Sequence, residues 1–172
     1  MFFLLLVSPA QAGSVYQSHT YVELVSEVSA IKPGEPFWAG VRLKTDKNWH
    51  TYWRNPGDSG LPTKIIWQLP DGFTASPIYW PYPHRWDAEG LTTYIYPEDV
   101  YLLTQIFPQD KISKDSITLQ VHVDWLACEV PCIPGRADLS LDLPVREQSQ
   151  QNPGQKENFE RARAQWPVNG LN

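Results

Sequence analysis

Two alternating apolar runs joined by a short loop constrain this chain more than any other feature. In the segment "SITLQVHVDWLACEVPCIPGRADLSLDLP", Ile117, Leu119, Val121, Val123 and Trp125 recur at every second position, as do Ala137, Leu139, Leu141 and Leu143. A period of two places each set on one face of a strand. With Glu129-Val130-Pro131 as the loop of an antiparallel hairpin, Val123 faces Ala137, Val121 faces Leu139, Leu119 faces Leu141 and Ile117 faces Leu143. Every apolar residue then meets an apolar one. The same register sets Asp124 against Arg136 and His122 against Asp138 on the other face, and it ends with Cys128 opposite Cys132. A slip of one residue would turn the apolar sets outward, so the pattern fixes the register. The pairings nearest the loop are the least constrained, because three-residue loops often carry a bulge.

The rest of the chain reads in the same way. Sixteen prolines and ten glycines interrupt it too often for long helices, while Trp, Tyr, Val, Ile and Thr recur in short runs, the composition of strands. Phe37, Ala39, Val41 and Leu43 alternate in one candidate strand. Others lie at 20–30, 62–69, 100–107, 116–126 and 136–144, with shorter ones near 49–53, 77–80 and 92–96. Asn55-Pro56-Gly57-Asp58 reads as a turn. About seven to nine short strands with turn signals between them predict an all-β fold, an immunoglobulin-like antiparallel β-sandwich with the cysteine hairpin at one end. A closed barrel is the alternative architecture.

At the N-terminus, the apolar run Phe2–Val7 followed by Ala10-Gln11-Ala12 reads as the end of a secretory signal peptide, which implies export. It falls short of the roughly 20 apolar residues that span a bilayer. The expected organisation is a signal remnant over 1–12, one sandwich domain over 13–147, and a linker with a short helix, "KENFERARAQW", over 148–172. The formal charge is −5, and the scattered Lys and Arg form no basic stripe, which argues against nucleic acid and against a membrane surface as partners.

Three readings stand for Cys128 and Cys132. Directly opposed residues in an antiparallel pair have Cα atoms about 4.5–5.5 Å apart, within the range a disulfide needs. As a staple that bond contributes only about 2 kcal/mol, because the loop it closes is so short. Thiol–disulfide exchange is the second reading, since it needs one sulfur open to an incoming thiolate. The third is a soft Cu(I) site made by the two thiolates and His122. The four histidines, His19, His50, His84 and His122, show no paired metal spacing, and Asp138 already offers His122 a partner. The sequence contains no nucleophile–base–acid set, no phosphate-binding glycine loop and no carboxylate pair placed for hydrolysis.

Three blocks taken together carry a resemblance: "NWHTYWRNPGDSGLPTKIIWQLPDGF", "SPIYWPYPHRWDAEGLTTYIYPEDVYLL" and "VDWLACEVPCIPGRADLSLDLPV". In this order and spacing they resemble the N-terminal periplasmic domain of the DsbD family of thiol–disulfide reductases, in particular its ScsB-like branch associated with copper tolerance. The likeness covers roughly residues 20 to 166. It implies an immunoglobulin-like fold and a redox pair with no bound cofactor. A thioredoxin-like domain is then the electron donor, and periplasmic thioredoxin-fold proteins are the acceptors. The family's membrane contact runs through a membrane part that this chain does not contain, so the chain is expected to be either an excised domain or a separate subunit. The better-known members space their cysteines more widely; the shorter loop here matches the ScsB-like branch.

The resemblance also assigns roles. Cys132 is the sulfur that forms the mixed disulfide with partners and Cys128 the one that resolves it. Pro131 and Pro134 bracket Cys132 and remove backbone donors beside it, which leaves that side open to a partner. The family covers its disulfide with an aromatic cap, for which Trp86 in "PHRWDAEGLTTY" is the best match, on a loop tip between Arg85 and Asp87 with Gly90 as hinge. Read from the residues alone, Tyr52, Trp53 and Arg54 precede the turn at a strand end and are further candidates for cap or partner contact, with Arg54 able to hold a carboxylate of a partner or of the cap loop or simply to pair on the surface.

Overall fold

The computed structural model describes residues 13–167, so the signal-peptide reading of 1–12 lies outside the described residues. Among them are thirteen strands and one helix: β1 (Ser14–Gln17), β2 (Thr20–Ser26), β3 (Val28–Ala30), β4 (Phe37–Thr45), β5 (His50–Gly57), β6 (Lys64–Gln68), β7 (Thr74–Ala75), β8 (His84–Ala88), β9 (Leu91–Pro97), β10 (Asp99–Phe107), β11 (Ser116–Cys128), β12 (Cys132–Pro144), β13 (Gln150–Gln151) and α1 (Lys156–Ala164). One sheet runs β1-β2-β4-β10-β7. The other runs β12-β11-β5-β9-β8, with β6 also paired to β11. All of these pairings are antiparallel. Both sheets have free edges, which makes the fold an immunoglobulin-like sandwich and not a closed barrel.

The core forms because the alternating sets of both sheets point at each other. Val22 and Leu24 of β2, Ala39, Val41 and Leu43 of β4 and Leu102 of β10 meet Ile117, Leu119, Val121, Val123 and Trp125 of β11 in one buried cluster. Each Val, Leu or Ile among them contributes about 1.5–3 kcal/mol by leaving water. Gly135 lies opposite Trp125, and a Cβ there would sit 2.2 Å from the indole, so only glycine lets the ring lie flat over β12.

The cysteine hairpin has the register its pattern dictates. The pairs Ile117–Leu143, Leu119–Leu141, Val121–Leu139, Val123–Ala137, His122–Asp138, Asp124–Arg136 and Cys128–Cys132 all form, and no bulge interrupts the ladder near the loop.

Three segments differ from expectation. In the stretch read as a turn at Asn55-Pro56-Gly57-Asp58, the first three residues are the far end of β5, which pairs with β9 at Tyr52 and again at Gly57 across an irregularity. That irregularity accommodates Pro56, which has no N–H to give a ladder, and Gly57 with φ +87; the Asn55 side chain accepts a hydrogen bond from the Gly57 N–H. The segment near 77–80 is reduced to a single bridge from Tyr79 to Leu103. The expected cap loop is a hairpin, β8–β9, whose two-residue turn Glu89-Gly90 has positive φ at both positions, 52° and 80°. Two positive φ values suit the twist of a tight hairpin.

Helix α1 covers the outer face of the first sheet. Phe159 and Ala162 are buried against Val25, Tyr101 and Leu103, with Trp38 and Trp166 at the margin. A nine-residue helix is marginal in water by itself, so this docking holds it, aided by the pairing of Arg163 with Glu27. Of the segment 148–172, expected as a linker and short helix, the described residues are thus tied to the sandwich both by α1 and by β13, which pairs with β3. No helix among the described residues is long and apolar enough to cross a membrane.

Candidate functional site

The alternation that buries the odd-numbered residues of β11 turns its even-numbered residues to the outer face. Leu126 and Cys128 are on that side. Cys128 closes β11 and Cys132 opens β12; the two form a disulfide with Cα atoms 4.1 Å apart. The loop between them is tightened by a hydrogen bond from the Glu129 N–H to the Pro131 carbonyl at 3.3 Å.

The two sulfurs have different surroundings. Cys128 is 2 % exposed and packs with Tyr52, Ile95 and Leu126 in a small apolar cluster separate from the main core. Cys132 is exposed, as are Val130, Pro131 and Pro134 around it. β12 is the edge strand of its sheet, where the missing N–H of Pro134 leaves no ladder bond unmade.

Strand β5 completes the cluster. His50 lies opposite Cys128, and residues opposed across a ladder point to the same face, as do residues two apart along a strand. His50, Tyr52, Cys128 and Cys132 therefore share one surface. The Tyr52 hydroxyl is 4.0 Å from Cys132 Sγ and 3.3 Å from His50 Nε2. Burial pushes the Tyr52 phenol up and the His50 imidazole down from their ordinary values. Gly60, at φ +98, rests on the Tyr52 ring so closely that a Cβ would lie 2.2 Å from it.

Trp86 is on the outer β8 strand, 54 % exposed, so it is neither on a loop tip nor in the core. Its ring lies 6.3 Å from that of His50 and nearly parallel to it. Asp87 is occupied within the hairpin, accepting hydrogen bonds from the Thr92 hydroxyl and from Arg85, which, Thr92 foremost, hold its carboxyl below the usual range. Gly90 forms the turn, with nothing near its absent side chain.

Other expected residues are not brought to the pair. Trp53, one residue along from Tyr52, turns inward and packs against the main core, its ring edge-on to Tyr94. Arg54 lays its guanidinium over the Trp53 ring at 5.1 Å. The Cu(I) set fails on geometry. His122 is six residues from Cys128 along β11, about 20 Å at the usual rise per residue, and its Nδ1 faces Asp138 at 2.7 Å. Among the described residues no group of three or more His, Cys, Asp and Glu side chains is placed to hold a metal. His50 is the site residue that sequence reasoning missed. Its position depends on a single ladder pair between β5 and β11, which leaves no periodic signal.

The site is thus a solvent-facing sulfur bonded to a buried one, bordered by a phenol and an imidazole. Such an arrangement suits thiol–disulfide exchange, because an incoming thiolate can reach one sulfur and not the other.

A family match agrees with this chemistry. The family described as thiol:disulfide interchange protein DsbD, N-terminal, matches residues 21–144. Among solved structures, the N-terminal periplasmic domain of ScsB from Proteus mirabilis is similar in fold, with a TM-score of 0.67 at 21 % identity. That match covers 95 % of this chain and 62 % of the ScsB chain, so this chain spans less than two thirds of it. The N-terminal domain of DsbD from Neisseria meningitidis in the reduced form also matches, with a TM-score of 0.35 and 16 % identity over 85 % of this chain and 94 % of that one. The comparison with curated proteins finds no significant match. The family match spans most of the sandwich and includes both cysteines of the disulfide, and the chain belongs to the DsbD N-terminal family of thiol:disulfide interchange domains.

Proposed function

We propose that this domain carries electrons in the periplasm, receiving them from a thioredoxin-like donor and passing them to exported thioredoxin-fold proteins. The observation that carries this reading is the unequal disulfide, with Cys128 buried and Cys132 open. In the reduced domain, the Cys132 thiolate attacks the acceptor's disulfide and forms a mixed disulfide while one acceptor sulfur leaves as thiolate. The Cys128 thiolate then attacks Cys132, releases the acceptor as a dithiol and restores the Cys128–Cys132 bond. Recharging is the reverse. The donor thiolate attacks Cys132, Cys128 leaves, and the donor's second thiol resolves the adduct, so that two electrons enter the pair and the donor becomes a disulfide. The apolar run Phe2–Val7 and the Ala10-Gln11-Ala12 site support export. Trp86 is assigned to the cover over the pair, a role supported by its ring lying 6.3 Å from that of His50.

The experiment is transfer of electrons to an oxidised thioredoxin-fold protein, quenched with acid and read by mass after alkylation. Each reduced domain should give up two electrons, and the Cys128→Ser/Cys132→Ser protein none. A pair that stays oxidised in glutathione buffers poised down to about −300 mV would instead be a structural disulfide.

A further inference from the structure

We propose that His50 is a positioning residue for the exchange reaction: acting through the Tyr52 hydroxyl, it takes up the proton that the Cys132 thiol releases on becoming the attacking thiolate. This rests on the reading of Cys132 as the attacking sulfur.

The connection is continuous. His50 Nε2 is 3.3 Å from the Tyr52 hydroxyl, and that hydroxyl is 4.0 Å from Cys132 Sγ. The rings of His50 and Tyr52 meet edge to face at 5.2 Å. Backbone pairing holds both ends, since Cys128 lies between His50 on one side and Cys132 on the other. Tyr52 is only 4 % exposed, and Gly60 packs on its ring, so the phenol is fixed in place.

The step balances without an outside reagent. The Cys132 S–H gives its proton to the Tyr52 oxygen as the Tyr52 O–H gives its own to His50 Nε2. The products are a thiolate and an imidazolium, with the phenol unchanged. Burial lowers the proton affinity of the imidazole, which favours the unprotonated, accepting form, so the proton it takes up is held by the charge of the new thiolate. The groups facing His50 are Tyr52 from its own strand, Cys128 and Cys132 from β11 and β12, Ile95 and Pro97 from β9 and Trp86 from β8. Tyr52 and the two sulfurs are the titratable ones; His84, opposite Ile95, is the next along that face. A reduced Cys132 without this acceptor would release its proton to water alone, near the ordinary thiol value of about 8.5.

The test uses the reduced Cys128→Ser protein and the rate at which iodoacetamide alkylates Cys132 between pH 5 and pH 10, a range set around the ordinary thiol value of about 8.5. Adding His50→Gln, or separately Tyr52→Phe, should move the inflection upward and slow the reaction near pH 7 by about tenfold, the equivalent of one pKa unit. The rates should converge at high pH. The combined variant should be no slower than either alone, as expected for residues acting in one chain. An unmoved inflection in His50→Gln, or a slowing equal at every pH, would overturn the proposal. So would a shift in Tyr52→Phe without one in His50→Gln. Exchange of the unmutated domain with a thioredoxin-fold protein is measured alongside. Its absence would defeat the function reading, whereas its presence with an unmoved inflection would defeat only the role of His50.

Discussion

Cys128 and Cys132 share one disulfide but not one environment: the first is 2 % exposed and the second lies open at the edge of the sheet. Their bond joins strands already locked by a ladder of pairs running from Ser116–Pro144 to the cysteines themselves, so it adds little to the fold. Replacing both cysteines by Ser should lower the unfolding free energy by no more than about 2 kcal/mol. Urea denaturation of the oxidised domain and the double variant measures this.

Gly135→Ala should cost more than its single methyl suggests. The new Cβ would meet the Trp125 indole at 2.2 Å, and overpacking a filled core typically costs about 1–3 kcal/mol. The change is expected as a lower urea midpoint at unchanged slope, with an altered Trp125 environment in near-ultraviolet circular dichroism.

His122 should give the fold a pH dependence whose sign follows from its carboxylate partners. Its hydrogen bond to Asp138 comes first among the causes that raise its pKa, with the charges of Asp124 and Asp138 adding to it. A folded-state value above the unfolded one means that the protonated form stabilises the fold. That stabilisation is complete below about pH 6.5, the ordinary histidine value, and is lost as pH rises through the folded-state value. The His122 imidazole should titrate above 6.5 by NMR, and Asp138→Asn should bring the midpoint down.

Trp86→Ala should leave the fold nearly intact. The indole is more than half exposed, and its cross-strand partner is Thr93, a pairing worth about 0.2–1 kcal/mol. On the proposal that Trp86 covers the pair, its loss should speed reduction of the disulfide by a small thiol such as dithiothreitol. An unchanged reduction rate would leave Trp86 without a role in covering the pair.

Legibility followed the physics of burial. The β11–β12 register was readable because both strands bury one face, so two apolar sets had to match. β8 is exposed along its whole length and therefore carries no alternation, which is why the segment around Trp86 read as a loop. Asn55-Pro56-Gly57-Asp58 has the composition of a turn, yet the irregularity in β5 needs the same residues for the same reasons: a missing N–H and a positive φ. At the site, the cysteines, Tyr52 and Trp86 were singled out from local pattern and resemblance. His50 was not, because its place beside Cys128 depends on a pairing between strands far apart in sequence. Trp53 looked equivalent to Tyr52, but neighbouring residues in a strand face opposite ways.

The central claim is that electrons pass through Cys132, and trapping tests it most directly. Each single-cysteine variant is reacted with a thioredoxin-fold protein lacking its own resolving cysteine, and the adducts are separated on a non-reducing gel. Cys128→Ser, which keeps the exposed sulfur, should accumulate a stable mixed disulfide; Cys132→Ser, left with the buried one, should trap little. Equal trapping by the two variants, or trapping by Cys132→Ser alone, would contradict the account.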